Sequence, residues 1–185
     1  MKRLLFTFFC LNSLLAFNQN MPIGQFDHHQ DVGNPKRPGK AIYDEKNQTY
    51  TISGAGINMW TKIDQFHFLW KKIKGDFTIS ATIKFIGEGE AAHRKIGIIA
   101  RDELTTNSRY ADACVHGDIL TSLQYRPTDT SNTAQVTLLS YHPTDIEFSR
   151  KGNVFTFSAA TFGENYKSVS KEMELNDEVY AGLFI

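Results

Sequence analysis

The chain has 185 residues, 41% apolar and 22% charged, with 20 basic and 20 acidic side chains. Those fractions belong to a globular chain rather than a disordered one, and the length suits one domain with short additions. The even charge gives no electrostatic footprint for nucleic acid or for an anionic membrane, so neither partner is expected.

Met1-Lys2-Arg3 followed by the apolar run Leu4 to Phe17 has the layout of a secretory signal peptide, a basic start and then a short apolar core. The run is too short for a spanning helix, and Asn12 and Ser13 interrupt it, so no membrane span is expected. Residues 1–20 are therefore predicted to be a leader, and the mature protein to be secreted or periplasmic. Without Lys2 and Arg3 the balance is 18 basic against 20 acidic residues, a net charge of −2. Cys10 lies in the leader, which leaves Cys114 alone and no internal disulfide. Cohesion must come from packing.

Residues 21–39 are polar and proline-bearing and are predicted to be an extended N-terminal segment with little core. From Lys40 onward short alternating segments follow one another, punctuated by Gly, Asn, Asp and Pro. Ala41 to Asp44 and Gln48 to Ser53 flank Glu45-Lys46-Asn47 as a hairpin. Phe66, Phe68 and Trp70 share a face against Gln65, His67 and Lys71. The clearest pattern runs from Asp76 to Phe85, where Phe77, Ile79, Ala81 and Ile83 fall on one face and Thr78, Ser80 and Thr82 on the other. Phe77 is expected in the core, with a cost of about 3–5 kcal/mol for its removal. Residues 95–101, 111–116, 120–126 and 133–140 supply further strands, and Phe155 with Phe157 another. No stretch carries sustained helical periodicity. About ten strands without helices predict an all-β fold, an antiparallel two-sheet sandwich.

Several segments together carry a resemblance. They are Tyr50 to Gly56 with Asn58, Met59 and Trp60; Asp64 to Lys71 leading into Gly75 to Ala81; His93 to Asp102; His116 to Arg126; Glu147 to Gly152; and Tyr180 to Phe184. In order and spacing they resemble bacterial concanavalin A-like lectin/glucanase domains, LamG-like and related to the DUF1349 group. The resemblance implies a jelly-roll sandwich over 40–185, and a place before a TolB-like β-propeller in secreted proteins. It also implies a further closing strand, so the domain is expected to be incomplete at Ile185 and residues 21–185 to be marginal or aggregation-prone, with an uncovered edge around Val179, Leu183 and Ile185. The family pattern has a second glycine after His-Gly-Asp where this chain has Ile119, which predicts an altered turn.

Catalysis on such a sheet would need two inward carboxylates on one strand, close enough to act as nucleophile and acid. Glu172-Met173-Glu174 begins that pattern, but position 176 is Asn, and a solvated acidic edge fits better. No catalytic residue is assigned. His28 and His29 are adjacent on an extended stretch and cannot both face one ion. His116 and Asp118 flank a turn glycine and would suit Ca²⁺, but spacing places no third ligand, so neither a metal nor another cofactor is expected.

The set that alternation brings together is different. Arg101 shares a face with Gly97 and Ile99; Cys114 and His116 share one; so do Ser122, Gln124 and Arg126. If these strands form a meander, their polar sides converge on a concave face rimmed by Trp60, His67 and Trp70. Planar donors beside aromatic rings suit sugars or peptides. The competing reading is plain core, with Arg101 paired to Asp102 or Asp112. The resulting expectation is a non-catalytic binding module with a glycan or protein ligand at Trp60, His67, Trp70, Arg101, His116, Gln124 and Arg126. The alternatives are a glycoside hydrolase or lyase on the same face, and a structural module packed on a following propeller. Mass spectrometry of exported protein should find residues 1 to about 20 absent; a chain still starting at Met1 would refute the leader.

Overall fold

The computed structural model describes residues 22–185 except positions 88 and 90; the leader assigned to 1–20 lies outside them. Thirteen strands and no helix are present among the described residues. They are β1 (His28–Val32), β2 (Lys40–Asp44), β3 (Thr49–Ser53), β4 (Phe66–Lys74), β5 (Phe77–Thr82), β6 (Lys95–Arg101), β7 (Tyr110–His116), β8 (Thr121–Arg126), β9 (Ala134–Thr137), β10 (Asp145–Lys151), β11 (Val154–Ala160), β12 (Lys167–Glu172) and β13 (Glu178–Phe184). Seven form one sheet in the order β1-β4-β13-β6-β7-β8-β9, four form a second in the order β12-β11-β10-β5, and β2 and β3 make a separate hairpin. Every pairing is antiparallel. The protein is an all-β sandwich.

Alternation decides what lies between the layers. Ile98, Ala100, Ala111, Ala113, Val115, Leu123, Val179 and Ala181 of the large sheet pack against Ile146, Phe148, Phe155, Phe157 and Ala159 of the small one. Small residues on β6 and β7 opposite phenylalanines on β10 and β11 let the two layers interlock. The opposite parity on the large sheet builds a second buried cluster, with Phe66, Phe68, Trp70, Ile99, Tyr110, Cys114 and Phe184 joined by Val32 and Met59. One sheet is therefore buried on both faces, and its outer face carries Trp70, Arg101, His116, Gln124 and Arg126 of the residues singled out by the sequence.

The register of β5 is as alternation predicts, with Phe77, Ile79 and Ala81 turned inward and Thr78, Ser80 and Thr82 exposed. Its depth is less than expected. Phe77 and Ile79 are only half-buried because β5 is the edge of the four-stranded sheet, so removing Phe77 costs less than a core aromatic; Phe148 and Phe155 hold that position at full burial. Two further expectations are corrected. Residues 28–32 are extended as expected but join the core, as edge strand β1 paired to β4 from His28 opposite Trp70 to Val32 opposite Phe66, with Val32 buried. The final strand is not an uncovered edge. β13 lies between β4 and β6 and is paired along both sides, with Val179 and Ala181 buried and Ile185 exchanging backbone bonds with His67.

At the β7–β8 turn Ile119 has φ of 77°, the left-handed region that glycine adopts freely. A β-branched residue there is strained by about 1–2 kcal/mol. The backbone at this turn thus has a conformation that suits glycine better than the isoleucine present. Ile119→Gly is therefore expected to raise stability by about 1 kcal/mol after the added flexibility of the unfolded chain is counted. Urea denaturation measures it, and a loss of stability would show that Ile119 contributes packing the backbone argument omits.

Candidate functional site

On the outer face of the large sheet, β6 presents Lys95, Gly97, Ile99 and Arg101, β7 presents Tyr110, Asp112, Cys114 and His116, and β8 presents Ser122, Gln124 and Arg126. The register sets Arg101 opposite Tyr110 and Arg126 opposite the same tyrosine from the other side, with Asp112 opposite Gln124 and Cys114 opposite Ser122. The predicted convergence of Arg101, His116, Gln124 and Arg126 is present, and Trp70 shares this face on β4, two strands from β6 and four from β8. All four polar residues are buried to 4% exposure or less. They face protein, not solvent.

The cover is the segment 54–65, which joins β3 to β4 and folds as a compact loop with its ends together, an Ω-loop in form. Gln65 N–H donates to the Asn58 carbonyl at 2.8 Å, and a Cβ on Gly56 would stand 1.7 Å from the Gln65 carbonyl oxygen, so only glycine permits that closure. Most of the strap is exposed, but Met59 and Asp64 drive inward. The Asn58 side chain caps the amides of Met59 and Trp60 and takes a bond from Lys95 Nζ at 3.0 Å. The Met59 carbonyl accepts from the Tyr110 and Thr133 hydroxyls at 2.9 and 3.0 Å.

Asp64 is the anchor. Arg126 holds it through two bonds, Nη1 to Oδ2 at 2.7 Å and Nη2 to Oδ1 at 2.6 Å, and Arg101 Nη2 reaches Oδ2 at 3.3 Å. All three side chains have no exposed surface. Arg126 spends its remaining donors on the carbonyls of Thr61, Ser108 and Ser131. Arg101 donates from Nη2 to the Thr105 carbonyl as well, yet its Nε and Nη1 have no partner. Burial raises the Asp64 carboxyl against the pull of both arginines and lowers Arg101 to about 10. For Arg126 the bonds and charge of Asp64 outweigh burial, and its affinity for the proton rises.

Beyond this triad and Lys95, burial favours the neutral forms. Burial pushes the Asp112 carboxyl well above the usual carboxylate range, the Gln124 backbone amide and Lys95 offsetting it only in part. Burial likewise raises the Cys114 thiol and the Tyr110 hydroxyl. His116 is brought down to about 4, mainly by burial, so it is the neutral ring. Its Nδ1–H donates to the Leu120 carbonyl at 2.9 Å, which leaves Nε2 to accept from the Gln124 amide at 3.3 Å. Asp112 Oδ2, Ser122 Oγ and Gln124 Oε1 are buried without a hydrogen-bond partner in the protein. Buried polar groups are paired in the great majority of cases, so three orphan oxygens on two neighbouring strands, beside two orphan arginine nitrogens, form an unusual concentration.

Two of the predicted rim residues stand elsewhere. His67 lies on the opposite face of β4, where its Nδ1–H donates to Asp31 at 2.8 Å and its Nε2 accepts from His29 at 2.9 Å. Burial, then His67, lowers the proton affinity of His29. Trp60 is on the strap, 39% exposed. Asp118 pairs with His93 at 2.8 Å and Asp102 with Arg109, and the partner of Arg101 is Asp64 rather than the expected Asp102 or Asp112. Glu172 and Glu174 point to solvent. Among the described residues no group of three His, Cys, Asp or Glu side chains is placed to hold a metal ion, and no helix is long and apolar enough to cross a membrane. The sequence reading missed Asp64 as the arginines' partner and Asp112 as a site member. Alternation through Cys114 and His116 already put Asp112 on the same face, whereas nothing local marks Asp64.

Because Asp112 keeps its proton when folded and loses it when unfolded above the ordinary aspartate value of 3.8, stability falls as pH rises through that window. Asp112→Asn removes the effect. Its stability relative to the native chain should climb as pH rises above 3.8, by at most about 1.4 kcal/mol per pH unit. Parallel denaturation curves across that range would show Asp112 to be ionised in the folded protein.

No family model matches the chain, and no curated protein matches it. Among solved structures, a functionally unknown protein from Saccharomyces cerevisiae is similar, with a TM-score of 0.51 and 12% identity over 84% of this chain and 85% of that one. At that identity the likeness bears on the fold alone.

Proposed function

We propose that the chain is a non-catalytic binding module of an exported multidomain protein, that its sandwich is of the concanavalin A-like type, and that the outer face of the large sheet receives a glycan. The observation that carries this reading is the buried row Arg101, Asp112, Ser122 and Gln124, five of whose polar atoms lack a partner. Leaving such groups unpaired costs about 1–3 kcal/mol each, which a fold without a use for them has no reason to bear. A sugar ring is the complement in kind, since each hydroxyl both donates and accepts, and Trp70 and Tyr110 supply ring faces on the same surface. The leader and the resemblance to domains that precede TolB-like propellers support the exported, multidomain setting.

A structural module packed on a following propeller is the second reading. The closure of the strap favours it, since Asp64 already occupies both arginines. Retention on a panel of soluble and insoluble polysaccharides separates the two. The native chain should be retarded by at least one polysaccharide, and Gln124→Ala should weaken that retention by about tenfold while still unfolding cooperatively. Passage through the whole panel without retardation favours the structural reading.

A further inference from the structure

We infer that Arg101 and Arg126 form a seat for a ligand carboxylate, and that Asp64 of the 54–65 strap occupies this seat in place of the ligand. The inference rests on the glycan reading above and narrows it to acidic glycans, those bearing uronic acid. Three observations support it. The contact between Arg126 and Asp64 is the two-bond fork by which a guanidinium recognises a planar carboxylate, with Arg101 as a second donor to the same oxygen. The seat has more donors than Asp64 uses, because Arg101 Nε and Nη1 are fully buried and unpartnered. The carboxylate arrives on a surface loop of which only Met59 and Asp64 are buried, while Ile57, Trp60 and Ile63 stand 80%, 39% and 61% exposed. A loop with that profile has no core of its own and is held by the side chains of Met59 and Asp64 together with hydrogen bonds at Asn58, Trp60 and Thr61.

The strap carboxylate competes at the high effective concentration of a tethered group. A free monocarboxylate has no advantage over it. A uronate has one, because its ring hydroxyls reach what Asp64 leaves unpaired, the orphan oxygens of Asp112, Ser122 and Gln124 on β7 and β8. Gln124 Oε1 accepts only, while the Ser122 hydroxyl and the protonated Asp112 carboxyl can each donate or accept, and such a mixed set beside the guanidinium pair matches a sugar that carries hydroxyls and a carboxylate. Displacement would carry Met59 and the exposed triad away from the sheet together, since Met59 and Asp64 sit on one closed loop.

The test uses the whole chain and three probes: acetate, a trimer of galacturonic acid and the neutral galactose trimer. For Asp64→Ala, acetate should restore the melting temperature in a saturable way, while the native chain shows no shift. The acidic trimer should bind Asp64→Ala at least tenfold more tightly than it binds the native chain, and binding to the native chain should speed amide exchange at 57–63. If Asp64→Ala does not fold, Asp64→Asn keeps the shape, removes the charge and should show the same order of affinities. Equal affinity of both trimers, with amide exchange at 57–63 unchanged, would overturn the carboxylate seat while leaving glycan binding in place. Rescue by acetate with no binding of either trimer would overturn the glycan assignment and keep the seat. No rescue and no preference for the native or the variant chain would overturn the inference outright.

Discussion

A single carboxylate organises the outer half of this molecule. Asp64 reaches two arginines on two different strands, and those arginines in turn gather the carbonyls of Thr61, Thr105, Ser108 and Ser131. The β3–β4 strap, the β6–β7 loop and the β8–β9 loop therefore meet at one point. Such a triad is expensive to desolvate, and its attraction recovers that cost only when the geometry is good and the remaining donors are used. Arg126 meets that condition. Arg101 does not, and the imbalance between the two is what separates this arrangement from an ordinary buried ion pair.

The two faces of the large sheet solve the burial problem in different ways. Toward the small sheet the solution is apolar, alanines on β6 and β7 against phenylalanines on β10 and β11. Toward the strap an aromatic cluster on β4 and β13 continues into polar residues on β7 and β8. Burial holds the titrating groups there in their neutral forms, with a protonated Asp112, an uncharged His116 and an intact Cys114 thiol. Formal charge on that face is confined to the Asp64 triad and Lys95.

Much of the sandwich was legible because a period of two needs only local sequence. It placed Phe77 and Ile79 inward, set Arg101 beside Ile99, and put Gln124 with Arg126. What it missed has a common cause. The segment His28–Val32 contains a single aliphatic residue and shows no alternation, and it becomes a strand only because β4 offers an edge. His67 was grouped with Trp60 and Trp70 at the rim although alternation set it on the other side of β4, and its partners Asp31 and His29 both come from β1, the strand that the sequence did not show. The bond between Asp64 and Arg126 spans 62 positions of sequence, and that to Arg101 spans 37. No local pattern reports a pairing of that range.

The place of β13 bears on how the chain reaches this state. The strands β6 to β9 form a meander of neighbours in sequence and can pair as soon as they exist. The strand β4 waits on one side of a gap that only Glu178–Phe184 fills. Closing that gap joins positions about a hundred residues apart, and the loop-closure entropy must be met before the ladder rewards it. Until then β4 and β6 each present an open edge rich in apolar residues, the kind of surface on which partly folded chains associate. Among the described strands β13 is therefore the one that closes the large sheet over the longest span of sequence, and any state that lacks it leaves two neighbouring edges unpaired.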